Sequence, residues 1–314
     1  MPPADDAAHL SALPDAPGRS GDAPKGVQAG AQAGASLDLS GLRAELDAID
    51  DALHDLLRRR AGTVAALAES GIKGRSLLRP GREATIIRRL LARHDGKLPR
   101  QALARIWREL FAASIAMQGP FVVAVCELDP AAGYTQAARE HFGALTPLRI
   151  HRSPAQAMAE VSARSAAVAV LPLPLEDETP RDAWWTALLQ KDEPRIHVVA
   201  RLPFWAPRPE GAPRVQALVV AAAAPDPTEH DRSLLGLEFA RDISRARLAG
   251  ALVSAGLQPE AVILRRDQGS SVAHALIEVV GHVPDGDPRL AALAPMLRPP
   301  VVLGGYAVPE GGTP

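Results

Sequence analysis

Residues 39–70 read LSGLRAELDAIDDALHDLLRRRAGTVAALAES. Leu42, Leu46, Ile49, Leu53, Leu56, Leu57, Val64 and Leu67 recur at three- and four-residue steps, the pattern of one continuous amphipathic helix. At ~1.5 Å per residue that helix is roughly 45 Å long. A compact domain of this size does not bury such a length by itself, so the stretch is expected to pack along a partner chain. Arg43 and Arg60 lie seventeen residues apart, which is about 25 Å along one axis. Both cannot touch one small ligand from one chain. An antiparallel twin of the helix would set Arg43 of one subunit beside Arg60 of the other, so the spacing predicts a site shared between two subunits.

Two further helices follow. Pro80, in the phrase Arg79-Pro80-Gly81-Arg82-Glu83, suits the first turn of a helix running to about His94, with Ile86, Ile87, Leu90 and Leu91 inward. Asp95-Gly96-Lys97-Leu98-Pro99 then starts a third helix with Leu103, Ile106, Trp107, Leu110, Phe111, Ile115 and Met117 as its expected buried stripe, ended by Gly119-Pro120. Three helices, one very long, are read as a complete all-α unit over residues 38–119. Residues 1–37 are Ala, Gly, Pro and Asp with few large apolar side chains, the composition of a disordered tail.

From Phe121 the period changes. FVVAV, TQAAREHF, LRIHR, AQAMAEVSA and AAVAVLPLP alternate strand and helix patterns, and VQALVVAAAA adds a strand, which predicts a short α/β domain over residues 120–225. Asp226-Pro227 marks a boundary. Beyond it SLLGLEFA, SRARLAGALVSAG, AVILRRD, SVAHALIEVVG, PRLAALAPML and VVLGGYAV spell β-α-β-β-α-β, the ferredoxin-like α+β order, over residues 226–314.

The 314 residues suffice for several domains, and 47% hydrophobic with 23% charged residues is ordinary for a globular protein. A single cysteine, Cys126, cannot form an internal disulfide and is expected as a small buried hydrophobe. No apolar run reaches the length of a membrane span, and the N-terminus lacks a signal-peptide pattern, so a cytoplasmic protein without membrane contact is expected. Net charge is −1, yet from Arg58 to Arg108 fourteen Lys or Arg face only Glu69, Glu83 and Asp95. That local excess asks for something anionic.

The polar residues on otherwise apolar helix faces are Arg43, Arg60, Lys73, Arg82, Glu83, Ser114 and Gln118. There is no Ser/His/Asp set, no HExxH, and no metal-ligand spacing among the nine histidines, which argues against nucleophilic or metal chemistry. Bidentate arginines and a few donors suit a different chemistry, in which a small dianion is fixed and charge that develops in a transition state is met by hydrogen bonds.

Leu42-Arg43 with Ile49-Asp50, then Arg60, a loop lysine, Pro80-Gly81-Arg82-Glu83, and Ser114 with Gln118 resemble the all-helical class of chorismate mutase. The resemblance covers residues 38–119 and implies an intertwined homodimer that converts chorismate to prephenate by a Claisen rearrangement without any cofactor. It implies that Arg60 and the other subunit's Arg43 grip the carboxylates with help from Ser114. Lys73 and Gln118 would donate to the breaking ether oxygen, Glu83 would accept from the ring hydroxyl, and Arg82 would border the ring. Two departures stand out: Arg79 replaces a usual Asp, and Lys73 falls about two residues later than in the family.

Residues 120–225 resemble a worn prephenate dehydratase. Gly133-Tyr134-Thr135-Gln136-Ala137-Ala138 is similar to the family's first motif. Leu171-Pro172-Leu173-Pro174-Leu175-Glu176 stands where a Val-Pro-Glu-Asn-Ser type of sequence is usual, and Gln216-Ala217-Leu218 stands where Thr-Arg-Phe is usual. The region is also short for two lobes, so the resemblance implies lost dehydratase activity. Residues 226–314 resemble an ACT domain through Ala275–Val279 and Val302–Tyr306, with its effector-binding segments partly lost. Three other readings are carried beside the mutase: a bifunctional mutase/dehydratase, a non-catalytic amino-acid-sensing regulator, and nucleic-acid binding by the basic helices. The last is the weakest, because Trp107 and Phe111 fall on the buried stripe and leave no stacking platform.

Overall fold

The computed structural model describes residues 38–70, 77–206, 208, 210–293 and 298–311. The expected tail and the loop lysine Lys73 lie outside them. The chain divides into two compact units between Leu56 and Leu57.

The opening stretch is one helix, α1 (Leu39–Glu69). Asp38 starts it by accepting the Ser40 amide at 3.2 Å and the Ser40 hydroxyl at 2.6 Å, satisfying a donor that a helix start leaves orphaned. None of its residues is buried. Leu46 is 60% exposed, Leu53 53% and Leu56 59%, so most of the stripe that defines the helix in sequence is exposed.

In the second unit α2 (Pro80–Ala92) begins at the predicted proline. Gly81 is needed there because a Cβ would lie 2.4 Å from the Asp226 carbonyl oxygen. Arg79 joins the same place, its Nε 2.8 Å from both Asp226 carboxylate oxygens. α3 (Arg100–Ala116) follows. Its buried face differs from the expected stripe: Ile106 and Met117 are about half exposed, while Arg108, Phe111, Ser114 and Ile115 are buried. Ala84, Ile87 and Leu91 of α2 and Phe111 of α3 form one cluster with Phe204 and Ala307. The helices α2 and α3 therefore share a core with distant parts of the chain, which the reading of a self-sufficient three-helix unit did not foresee.

The α/β part runs β1 (Val123–Cys126), α4 (Tyr134–Phe142), β2 (Leu148–His151), α5 (Pro154–Ser162), β3 (Val168–Pro172), a 3-10 segment (Trp184–Gln190), β4 (His197–Leu202) and β5 (Ala217–Ala221). The 3-10 segment and β4 have no counterpart in the sequence reading. Alternation along β1 and β3 sends Ala124, Cys126, Ala169 and Leu171 to a face covered by α5 and the two tryptophans, Trp184 and Trp185. Val123, Val125, Val168 and Val170 go to the opposite face, against Ala138 and Phe142 of α4 and Ile115 of α3. Cys126 is fully buried, as expected, and burial pushes its thiol up to about 12.

β6 (Asp231–Ala240), α6 (Arg245–Ser254), β7 (Pro259–Arg265), β8 (Val272–Val280), α7 (Pro288–Ala291) and β9 (Val301–Ala307) keep the β-α-β-β-α-β order. Their strands lie β9-β6-β8-β7, the arrangement of a ferredoxin-like motif. Only four residues of the expected last helix are helical among those described. All the strands join one nine-stranded sheet, β2-β1-β3-β5-β4-β9-β6-β8-β7. Its seam is the parallel pair Val198–Gly304. Gly304 has φ +125° there, and a Cβ would sit 2.2 Å from the Val198 carbonyl oxygen, so glycine is what allows β4 and β9 to meet.

Candidate active site

Arg60 belongs to the last turns of α1 and is half-buried, with its side chain in contact with α3. Its Nη1 donates to Ser114 Oγ at 2.6 Å and weakly to the Leu110 carbonyl at 3.4 Å. Ser114 in turn donates to the Leu110 carbonyl at 2.6 Å, an i−4 bond that fixes the hydroxyl with its lone pair toward the guanidinium. One turn on, Gln118 Nε2 donates to the Ser114 carbonyl at 2.7 Å, closing the end of α3. Burial lowers the Arg60 pKa from its ordinary value, but an arginine remains charged. Its Nε and Nη2 bond to nothing among the described residues, so an edge of the fork is open to an anion.

Arg60, Ser114 and Gln118 are thus brought together. Arg82 and Glu83 make no bond to these three. Arg43 is exposed on α1 in the first unit, and Arg82 is exposed on the outer face of α2. Lys73 is outside the described residues. Glu83 turns inward, 8% exposed, and accepts from Arg108 Nη1 at 2.8 Å.

That inward pair was not anticipated. Arg108 is 6% exposed, stacked 5.0 Å from the Phe204 ring centroid, and its Nη1 is 3.4 Å from His141 Nε2. Burial, helped by Arg108, drives the His141 pKa well below its ordinary value, so the neutral ring accepts from the guanidinium. Burial pushes the Glu83 carboxyl up to about 7; Arg108 opposes the rise and Asp226 adds to it. The sequence did hold a signal: Glu83, Ile87 and Leu91 share one face of α2, and Ala104, Arg108, Phe111 and Ile115 share one face of α3. Opposite charges on two facing apolar stripes mark a buried ion pair.

In the α/β part, Glu127 is buried and accepts the amides of Tyr134 and Thr135 at 3.3 and 2.7 Å. It occupies the positive N-terminus of α4, a place that would otherwise attract an external anion. Gln216 Oε1 accepts from Arg201 at 2.7 Å. Among the described residues no cluster of His, Cys, Asp and Glu is arranged to hold a metal ion, and no helix is long and apolar enough to cross a membrane.

A guanidinium steadied by a helix hydroxyl, with an amide one turn away, is chemically suited to hold a small anion. Comparison with known proteins makes the class specific: residues 42–119 match the family described as chorismate mutase type II. Those residues are similar to that family, and a mixed α/β region follows them in the chain. The bifunctional chorismate mutase/prephenate dehydratase of Neisseria gonorrhoeae is 36% identical over 103 residues, 32% of this chain and 27% of that protein. The protein of the same description from Pseudomonas aeruginosa is 32% identical over 114 residues, 33% of this chain and 30% of that one. The chain therefore spans less than a third of the curated relatives it matches. The prephenate dehydratase structure from Streptococcus mutans is 16% identical, covering 60% of this chain and 98% of that one at a TM-score of 0.45.

Proposed function

We propose that this protein is a chorismate mutase, converting chorismate to prephenate in aromatic amino-acid (phenylalanine and tyrosine) biosynthesis. The observation that carries the reading is the contact of Arg60 with Ser114, one turn from Gln118, inside the span that matches the mutase family. The rearrangement is unimolecular, so its catalyst has to hold the reactive conformer and stabilise charge at the breaking ether bond. Arg60 would hold a carboxylate through its open edge, with Ser114 fixing the guanidinium. Gln118 and Lys73 would donate to the ether oxygen, and Arg82 would border the ring. Arg43 would come from a second copy, in a homodimer supported by the exposed leucines of α1. Glu83 would meet the ring hydroxyl after exchanging its bond to Arg108. No cofactor enters this scheme. The test is to supply chorismate alone and follow its loss and the appearance of prephenate; no enzyme-dependent conversion would overturn the reading.

The dehydratase-like region is proposed to have lost its activity. Glu127 fills the N-terminus of α4, Gln216 is tied to Arg201, and β1 to β5 lie in one sheet with no second sheet among the described residues. Decarboxylative dehydration needs a placed acid and an enclosing cleft. The ferredoxin-like part is proposed to be ACT-like, joined edge to edge with that sheet through β4 and β9.

A further inference from the structure

One cavity of the second unit carries buried charge that the mutase reading leaves unused. It has a volume of about 150 Å3 and is lined by Ile87, Arg108, His141, Phe204, Trp205 and Arg208. Arg108 reaches Glu83 and His141 through Nη1 alone, so its Nε and Nη2 have no bonding partner among the described residues. Trp205 Nε1 is buried without a hydrogen-bond partner. A buried N–H left unpaired is costly, and a natural core rarely keeps one without an acceptor to meet it. Arg105 and Arg208 add two more cations to the lining, and Arg208 is bonded to Glu140, which also lines the cavity, and to the Pro213 carbonyl.

The chemistry of this set is selective. A space of about 150 Å3 is the size that holds one benzene ring. Phe204 and Trp205 offer aromatic surface for such a ring, and a guanidinium fork with a free edge matches a carboxylate. Arg108 Nε and Nη2 and Trp205 Nε1 are donors without acceptors among the described residues, which favours a ligand that brings an acceptor.

We propose that this cavity binds a single-ring aromatic carboxylate, taken by Arg108 and Trp205 Nε1, in competition with the Glu83 carboxylate for Arg108. Glu83 and the ligand draw on the same guanidinium, so an occupied cavity loosens the bond that keeps Glu83 in the core. The effect on catalysis rests on the reading above, in which Glu83 serves the mutase site. Binding itself does not depend on that reading.

The experiment is calorimetry on the full chain with benzoate, benzyl alcohol and acetate as probes. Benzoate should bind once per chain and at least ten-fold more tightly than either of the others; absent or indiscriminate binding overturns the proposal. Trp205→Phe should weaken benzoate several-fold with an unchanged circular dichroism spectrum. Ala104→Leu, which fills the cavity from α3, should abolish binding, and full binding in that variant would place benzoate elsewhere and overturn the site. Glu83→Gln should tighten benzoate several-fold because the competing charge is gone; equal or weaker binding overturns the competition. In the chorismate assay benzoate should alter kcat in the unmodified chain and leave Ala104→Leu unaffected. A chain that binds benzoate in this way without ever consuming chorismate keeps the cavity and refutes the mutase. A chain that consumes chorismate but ignores benzoate refutes the cavity alone.

Discussion

Arg60 and Arg108 are both helix arginines, and their surroundings give them opposite roles. Arg60 is half-buried with an open edge, so replacing it should remove binding of charge that matters in the transition state. Arg60→Ala is expected to cost about 3 kcal/mol or more in kcat/KM for chorismate, with Ser114→Ala losing less; near-normal turnover in Arg60→Ala would count against the site. Arg108 is enclosed with Glu83, where removing one partner strands the other. Arg108→Met should cost about 3–5 kcal/mol of stability at pH 8, and less at pH 5, where Glu83 is protonated. The same carboxyl sets a pH dependence of its own. Its folded pKa of about 7 lies above the ordinary 4.5, so between those values the folded state holds more protons than the unfolded one. This contribution is fully present below pH 4.5 and is lost as pH rises through 7, and Glu83→Gln should flatten that part of a urea-midpoint profile. Arg79 shows how a departure from a family pattern can be structural: it clamps Asp226. Arg79→Asp would set two acids together at a partly exposed site and should cost about 1 kcal/mol, measurable by denaturation.

At the scale of elements, α1 is the part whose sequence asks most plainly for a partner. Its leucines remain exposed in a single chain, and burying them against a second copy would remove a large apolar surface from water. Leu46→Glu with Leu53→Glu should give a monomer by sedimentation and lose mutase activity together. Mixing Arg43→Ala chains with Arg60→Ala chains should restore part of the activity, since one site of a mixed dimer regains both arginines. Mixed dimers without restored activity would mean a site within one subunit. The other two helices are bound differently. Ile87, Leu91 and Phe111 pack with Phe204 and Ala307, so a fragment ending at Gly119 is expected to expose that face and to aggregate or melt early.

For the whole molecule, the continuous sheet joins the α/β region to the ferredoxin-like part. The edge of β4 is covered by β9, and Trp184 and Trp185 of the 3-10 segment share a core with Leu234, Leu303 and Tyr306. A strand edge that is paired is protected from aggregation, so the region holds together whether or not it catalyses. Supplied with prephenate at neutral pH, the protein is expected to form no phenylpyruvate; enzyme-dependent product that disappears in Thr135→Ala would reverse this.

The sequence by itself determined the elements that rest on local periodicity and punctuation. The 3.6-residue stripe of α1, the proline that opens α2, the β-α-β-β-α-β order and the grouping of Ser114 with Gln118 at i, i+4 are all legible along the chain, because each depends on residues a few positions apart. Tertiary structure alone decided what faces what. Ile106 and Met117 have the apolar character of core residues but fall outside the packed face, whereas Arg108 and Glu83 are charged and fall within it, each made tolerable by the other across twenty-five residues. The seam between β4 and β9 depends on Gly304 meeting Val198, and the start of α2 on Gly81 meeting Asp226. Such contacts join residues more than a hundred positions apart, and burial, ion pairing and close backbone approach are properties of the partner as much as of the residue.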